Sequence, residues 1–198
     1  MVPELLLMMS MCAPQVHPST MAALVHHESG ANPYAIGINK GSRLAKQPTN
    51  RADAIRIVKD LIEEGIDFDA GLGQINVRNW GWLKLSPETV FDPCANLGAA
   101  QTVLTDCYLR AAGSHQPGQH ALQAALSCYN TGNFRAGMKN GYVGRVYASA
   151  GRVVPQIGNT PAKASPPEKS KPKKEGGLQN PTPDGFDTPS SDGFTPSE

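Results

Sequence analysis

One acidic side chain, Glu28, stands in the stretch LVHHESGANPYAIG (24–37), between two histidines and a run of turn-forming residues. A glutamate so placed has three possible uses: base of a metal site, acid working without metal, or solvated surface charge. The metal use fails on spacing. A zinc-protease helix needs HExxH, so that two imidazoles one turn apart share a face. Four residues after His27 stands Ala31, and Gly30 has already ended the helix. His26 and His27 are adjacent and point in different directions around a helix. Neither calcium-loop spacing nor a phosphate-cradling glycine loop occurs elsewhere, so no metal or other cofactor is expected.

The surface use is weakened by periodicity. Met21, Leu24, Val25 and Glu28 fall at i, i+3, i+4 and i+7, so Glu28 prolongs an apolar stripe. A carboxylate in the last turn also opposes the helix dipole, which favours cations there. Desolvation and dipole both push its pKa towards the value a general acid needs at neutral pH. The bland alternative is a glutamate at the stripe's edge whose head reaches water. The next acid along the chain is Asp53, in a surface-like helix. Asp67 and Asp69 are the only plausible second carboxylates, and they read as loop-stabilising.

The elements that must position these groups are mostly helical. Ser19 or Thr20 can cap a helix over 21–29, closed by Gly30. Asn32-Pro33 enforces a turn, and 34–49 reads as loop. Asn50 caps a second helix with Ile55, Val58, Leu61 and Ile62 at helical spacing, ended by Gly65. FDAGLGQINVRNWGW (68–82), with Gly71, Gly73 and Gly81, reads as a compact loop or short β-hairpin. Asp92 caps a helix with Pro93 at its first position and Leu97, Ala100, Leu104, Cys107 and Tyr108 on one face. Further helices are expected over 119–129 and 142–151.

Residues 1–154 thus form the folded part: mainly α, with one small Gly-rich region. Residues 155–198 hold nine of the 17 prolines and almost no aliphatic side chains, and read as a disordered tail. Within that tail DGFDTPS is echoed by DGFTPS, each with an isolated aromatic, Phe186 and Phe194. The echo fits either a short linear motif for a partner or chance similarity in a biased segment.

A net charge of +1 offers no global field for nucleic acid or an anionic membrane. No apolar run approaches the roughly 20 residues of a membrane-spanning helix. The N-terminal MVPELLLMMSMCAP carries Glu4 and no Lys or Arg, which makes a weak secretory signal. It reads equally as a segment packed on the core. Cys12, Cys94, Cys107 and Cys128 allow two disulfides in three connectivities, or buried thiols.

Three quoted stretches, ESGANPYAIG, GLGQIN (71–76) and ALSCYNTGN (125–133), resemble in order and spacing the motifs of lysozyme-like lytic transglycosylases. Those are a catalytic Glu-Ser, a Gly-Leu-x-Gln loop and a Tyr-Asn pair at a helix end. The longer FDAGLGQINVRNW and FDPCANLGAA are similar to the VirB1-type branch associated with type IV secretion and conjugation. The resemblance covers roughly residues 12–150. It implies an α+β lysozyme-like fold: a helical bundle with a small loop and β region lining a cleft.

The same resemblance implies a peptidoglycan-cleaving enzyme with Glu28 as its single catalytic residue. Ser29 would bond the carboxylate or the substrate's acetamido group. Gln74 would bind sugar polar groups, with Gly71 and Gly73 letting the backbone approach the glycan. Tyr129 would hold Glu28 in place, Asn130 would contact saccharide or fix its turn, and Tyr142 matches a looser fourth aromatic position. His27, when protonated, would lower the acid's pKa. Trp80 and Trp82 offer sugar-stacking rings, with core packing expected of at least one. Peptidoglycan strands and secretion-system components, the latter through the tail, are the expected partners, and the periplasm the expected location. A muramidase using Asp67 or Asp69, and an inactive peptidoglycan-binding assembly factor, are the alternatives.

Overall fold

The computed structural model describes residues 2–41, 43–114 and 117–153. The expected tail, 155–198, with Phe186 and Phe194, lies outside the described residues. Helices α1 (Val2–Cys12) and α2 (Pro18–Ser29) open the chain, and α3 (Arg51–Glu63) follows a short strand β1 (Ile36–Ile38). Strands β2 (Phe68–Ala70) and β3 (Ile75–Asn76) lead through a 3-10 turn, Val77–Asn79, into the one-turn helix α4 (Trp80–Leu83). Four more helices complete the fold: α5 (Pro93–Ser114), α6 (Gln119–Thr131), α7 (Ala136–Lys139) and α8 (Tyr142–Val153).

Helix boundaries follow local chemistry. The cap of α2 is His17, a correction to the Ser19 or Thr20 expected: its imidazole accepts the Ser19 N–H at 3.3 Å, with Pro18 in the first turn. Pro18 lacks a backbone donor and is pre-set for a helical start, which lengthens the helix by one turn. Gly30 closes it at φ 62°, in the left-handed region. Asn50 caps α3 by accepting the Asp53 N–H at 2.9 Å, and Asp92 caps α5 by accepting that of Ala95 at 2.8 Å.

The segment expected as loop contains β1, which pairs antiparallel with β2, Ile36 opposite Ala70 and Ile38 opposite Phe68. Three residues with a central glycine have too little strand propensity to be read in isolation, so tertiary pairing makes this strand. β3 completes an antiparallel sheet of order β1-β2-β3, with Asp69 opposite Asn76.

The stripe of α2 is buried as its spacing required, with Met21, Leu24 and Val25 inside the core and α8 packed against the helix. α5 packs on α6, and α1 lies on α2 and α5 with Met9 buried. In α3, Val58 and Leu61 are buried while Ile62 is exposed. Of the alternatives for the cysteines, two disulfides form, Cys12–Cys94 and Cys107–Cys128, and no cysteine is free. Among the described residues no helix is long and apolar enough to cross a membrane.

Candidate active site

Glu28 occupies the last turn of α2, where the stripe runs out of apolar partners. The Tyr142 hydroxyl, from the first residue of α8, donates to Glu28 Oε1. Burial raises the Glu28 carboxyl to about 7; the Tyr142 bond pulls it down, and the negative charge of Asp69 adds to the rise. At neutral pH the group therefore exists in both protonated and ionised forms, as a residue that first gives and then takes a proton must. Burial and the neighbouring Glu28 charge push the Tyr142 phenol far up, so it stays a donor.

Tyr142, and not Tyr129, thus holds the acid. The Tyr129 hydroxyl donates instead to the Gly73 carbonyl at 2.6 Å. Both phenols sit close enough to feel the Glu28 charge. Which of them reaches the carboxylate depends on how α6 and α8 pack beside α2, and no local motif encodes that. Asn130 is exposed at the cavity rim, and its Oδ1 accepts from Asn140 Nδ2 at 3.2 Å. Asn140 Oδ1 in turn accepts the Tyr142 backbone N–H at 2.9 Å, so one amide links the end of α6 to the start of α8.

Ser29 does not touch the carboxylate. Its hydroxyl lies 2.8 Å from the Leu72 carbonyl and 3.1 Å from that of Val25, tying the end of α2 to the Gly-rich loop. In that loop the two glycines serve packing more than exposure. A Cβ on Gly71, at φ 81°, would lie 2.1 Å from Asn96 Nδ2, and one on Gly73 would lie 2.8 Å from Ala100 Cβ and 2.9 Å from the Tyr129 hydroxyl. The loop therefore sits directly on α5 and Tyr129.

Asn96, which no spacing rule singles out, is the buried centre of this arrangement. It accepts the Gly73 N–H at 2.8 Å and donates to the carbonyls of Ala70 at 3.1 Å and Val90 at 2.9 Å. Its only signal in the sequence is a polar residue on an otherwise apolar face of α5. Gln74, at a left-handed φ of 48°, donates its amide to Gly71 O at 2.9 Å and Ala35 O at 3.1 Å. A non-glycine residue in that region costs about 1 kcal/mol or more, and here the surrounding bonds hold it. Those bonds use the Gln74 amide nitrogen, and its amide oxygen lies over Gly37.

The sheet carries the other two acids. Asn76 Nδ2 donates to Asp67 Oδ1 at 2.9 Å and to Asp69 Oδ1 at 2.8 Å, and Arg78 pairs with Asp67 at 3.0 Å. Burial raises the Asp69 carboxyl, while donors from Asn76 and Asn39 hold the rise back. His27 places its ring edge against Tyr142, with centroids 5.0 Å apart. Burial, Arg145 and His26 lower its pKa, so the protonated form that would lower the acid's pKa is confined to lower pH.

Two cavities meet at the acid. One of about 520 Å³ is lined by Glu28, Asp69, Gln74, Asn76, Arg78, Asn79, Val103, Tyr129 and Asn130 among others. The second, of about 400 Å³, runs past Glu28, Ser29, Asn39, Arg43, Gln47 and Gln74. They share Glu28, Asn39 and Gln74, so the carboxyl stands at the junction of two polar cavities. Trp80 is 5% exposed, its indole N–H on Ile75 O at 3.0 Å and its ring edge-on to Phe68, and it serves the core. Trp82 is exposed.

Residues 6–150 match the transglycosylase SLT domain family. The chain is 43% identical over 189 residues to the type IV secretion system protein virB1 of Brucella suis biovar 1, covering 87% of this chain and 78% of that protein. It is 40% identical over 147 residues to protein virB1 of Agrobacterium fabrum, covering 74% of this chain and 59% of that one. Protein virB1 of Rhizobium radiobacter is 38% identical over 147 residues, covering 74% and 60%. No solved structure matches the chain.

Proposed function

The chain belongs to the transglycosylase SLT family of peptidoglycan lytic transglycosylases, and from that premise we propose that Glu28 alone carries both proton transfers of its reaction. The acid donates its proton to the glycosidic oxygen between N-acetylmuramic acid and N-acetylglucosamine, and the C1–O bond breaks as that oxygen leaves as a hydroxyl. The carbonyl oxygen of the substrate's 2-acetamido group closes on C1. The Glu28 carboxylate then takes the proton of the C6 hydroxyl, whose oxygen attacks C1 and reopens the acetamido ring. A 1,6-anhydro sugar forms, Glu28 is protonated again and no water is consumed.

Support comes chiefly from the position of Glu28: a largely buried acid, raised to about 7, at the junction of two polar cavities. Tyr142 orients the carboxyl and stabilises its ionised form between the two transfers. Gln74 and Asn130 line the trough for sugar polar groups. Ser29, Gly73 and Tyr129 act through the loop that shapes it.

Residues 1–154 are the transglycosylase domain in this reading. The Brucella relatives' names carry type IV secretion; joined to wall cleavage, this supports a role in opening the cell wall locally for such an apparatus or for conjugation, acting in the periplasm. Two disulfides agree with an oxidising compartment. Residues 155–198 are the partner-binding tail; deleting them is expected to spare wall cleavage and impair secretion, measured separately. Mass spectrometry of muropeptides released from sacculi tests the chemistry. Terminal 1,6-anhydromuramic acid from the wild type and none from Glu28→Gln is the expected result; reducing muramic acid would identify a hydrolase and overturn it.

A further inference from the structure

Past the end of the larger cavity the chain exposes a large aromatic ring. Trp82 is 55% exposed, two residues from a tryptophan that is buried. Its indole N–H donates to Asn79 Oδ1 at 3.2 Å, and Asn79 lines the cleft. One asparagine therefore borders the trough and holds the ring outside it. Helix α5 repeats the arrangement. Val103 lines the cleft, whereas Ala99 and Thr102, a turn or less back along the same helix, line a groove of about 520 Å³ together with Trp82, Lys84 and Gln101. Cleft and groove are consecutive along two shared walls.

We propose that this groove is a distal saccharide subsite, taking the glycan strand as it leaves the cleft; the proposal rests on the transglycosylase reading above. A glycan strand is a polymer longer than the trough around Glu28, so it continues along one of these walls. The indole presents an apolar face of the kind that stacks on the C–H face of a pyranose ring, with an orientation set by its bond to Asn79. Lys84 makes no ion pair among the described residues. Its ammonium suits the lactyl or stem-peptide carboxylate of a muramic acid residue. Gln101 Oε1 accepts the Gln15 N–H at 2.7 Å, so the Gln101 amide nitrogen is the group that suits a sugar hydroxyl. A single exposed tryptophan is ordinary on a protein surface. An exposed ring that is tethered, and continuous with a polymer-binding cleft, is a different feature.

The test uses the full chain carrying Glu28→Gln, which binds without cutting, titrated with peptide-free glycan tetrasaccharides and decasaccharides. The decasaccharide is expected to bind tighter and to shift the emission of the exposed indole. Adding Trp82→Ala is expected to shrink the deca-to-tetra affinity ratio by about fivefold to tenfold, the size of one aromatic stacking contact. Trp82→Tyr should keep most of the ratio. The side chain is exposed, so these variants fold, and circular dichroism verifies it. A ratio unchanged by Trp82→Ala overturns the subsite and leaves the ring to a protein partner. Failure of both lengths to bind overturns the glycan reading of the cleft itself.

Discussion

The two carboxylates that share the larger cavity, Glu28 on the helical wall and Asp69 on the sheet wall, meet opposite surroundings. Burial raises both. Glu28 then finds one donor, Tyr142, and otherwise the end of an apolar stripe. Asp69 finds donors from Asn76 and Asn39, next to an Asp67 already paired with Arg78. A carboxyl with one donor can give up its proton and take it back near neutrality, whereas one held by several amides is fixed as part of the wall. Desolvation alone does not make a general acid. The scarcity of compensating donors does.

Glu28→Gln tests the contrast most severely. Cleavage of sacculi is expected to fall about a thousandfold, the middle of the range for losing a general acid. Stability should move the other way. The folded state binds the Glu28 proton more tightly than the unfolded chain, so wild-type stability declines as pH rises from 4.5 through 7. Above pH 7 that loss amounts to about 3 kcal/mol, which the non-titrating glutamine avoids. Denaturation at pH 4.5 and pH 8 checks the sign: parity at the first, a more stable variant at the second. A variant with unchanged cleavage removes Glu28 from the chemistry.

Asn96→Ala comes next and bears on the seam between the walls. Three buried hydrogen bonds go at once, and a loss of about 3 kcal/mol in urea unfolding is expected, with cleavage reduced through the slackened Gly-rich loop. Tyr142→Phe sharpens the contrast by removing the one side-chain donor to the acid among the described residues. Glu28 should then stay protonated to higher pH, moving the alkaline limb of the rate profile up by about one pH unit and lowering its plateau roughly tenfold. A downward move of that limb would show that Tyr142 does not hold the ionised acid.

Asp69→Asn carries the smallest expected effect. Loss of its negative charge lowers the Glu28 pKa, so the alkaline limb shifts down by a fraction of a pH unit while the rate changes only about twofold to fivefold. A loss beyond about a hundredfold would make Asp69 a second catalytic carboxylate and turn the enzyme towards hydrolysis.

What the sequence alone revealed divides along the same walls. Glu28 was legible because a charged residue interrupted a helical stripe, and α3 and α5 because caps and periodicity agreed. Strand β1 was not legible, since IGI becomes a strand only when Ala70 and Phe68 lie opposite it. The four-residue α7 escaped for the same reason: it is too short for a period. The exchange of roles between Tyr129 and Tyr142 lay beyond reading, because contacts spanning 56 and 114 residues decide it. Asn96 carries no spacing signal, and its importance appears only when Gly73 and Ala70 arrive from another segment.

The Cys12–Cys94 bond, with a sequence separation of 82 residues, also has a topological consequence. Glu28, the sheet and the Gly-rich loop all lie on the covalent ring it closes, while Tyr129 and Tyr142 lie outside. On chain-entropy grounds a closure of that size is worth about 4.5 kcal/mol against the unfolded ensemble. An oxidised chain that loses its packing still carries its acid and its loop as neighbours on one closed contour. Restoring that part of the trough is then a search around a ring and not along an open line, while Asn96, Val103, Asn130 and the two phenols arrive from outside it.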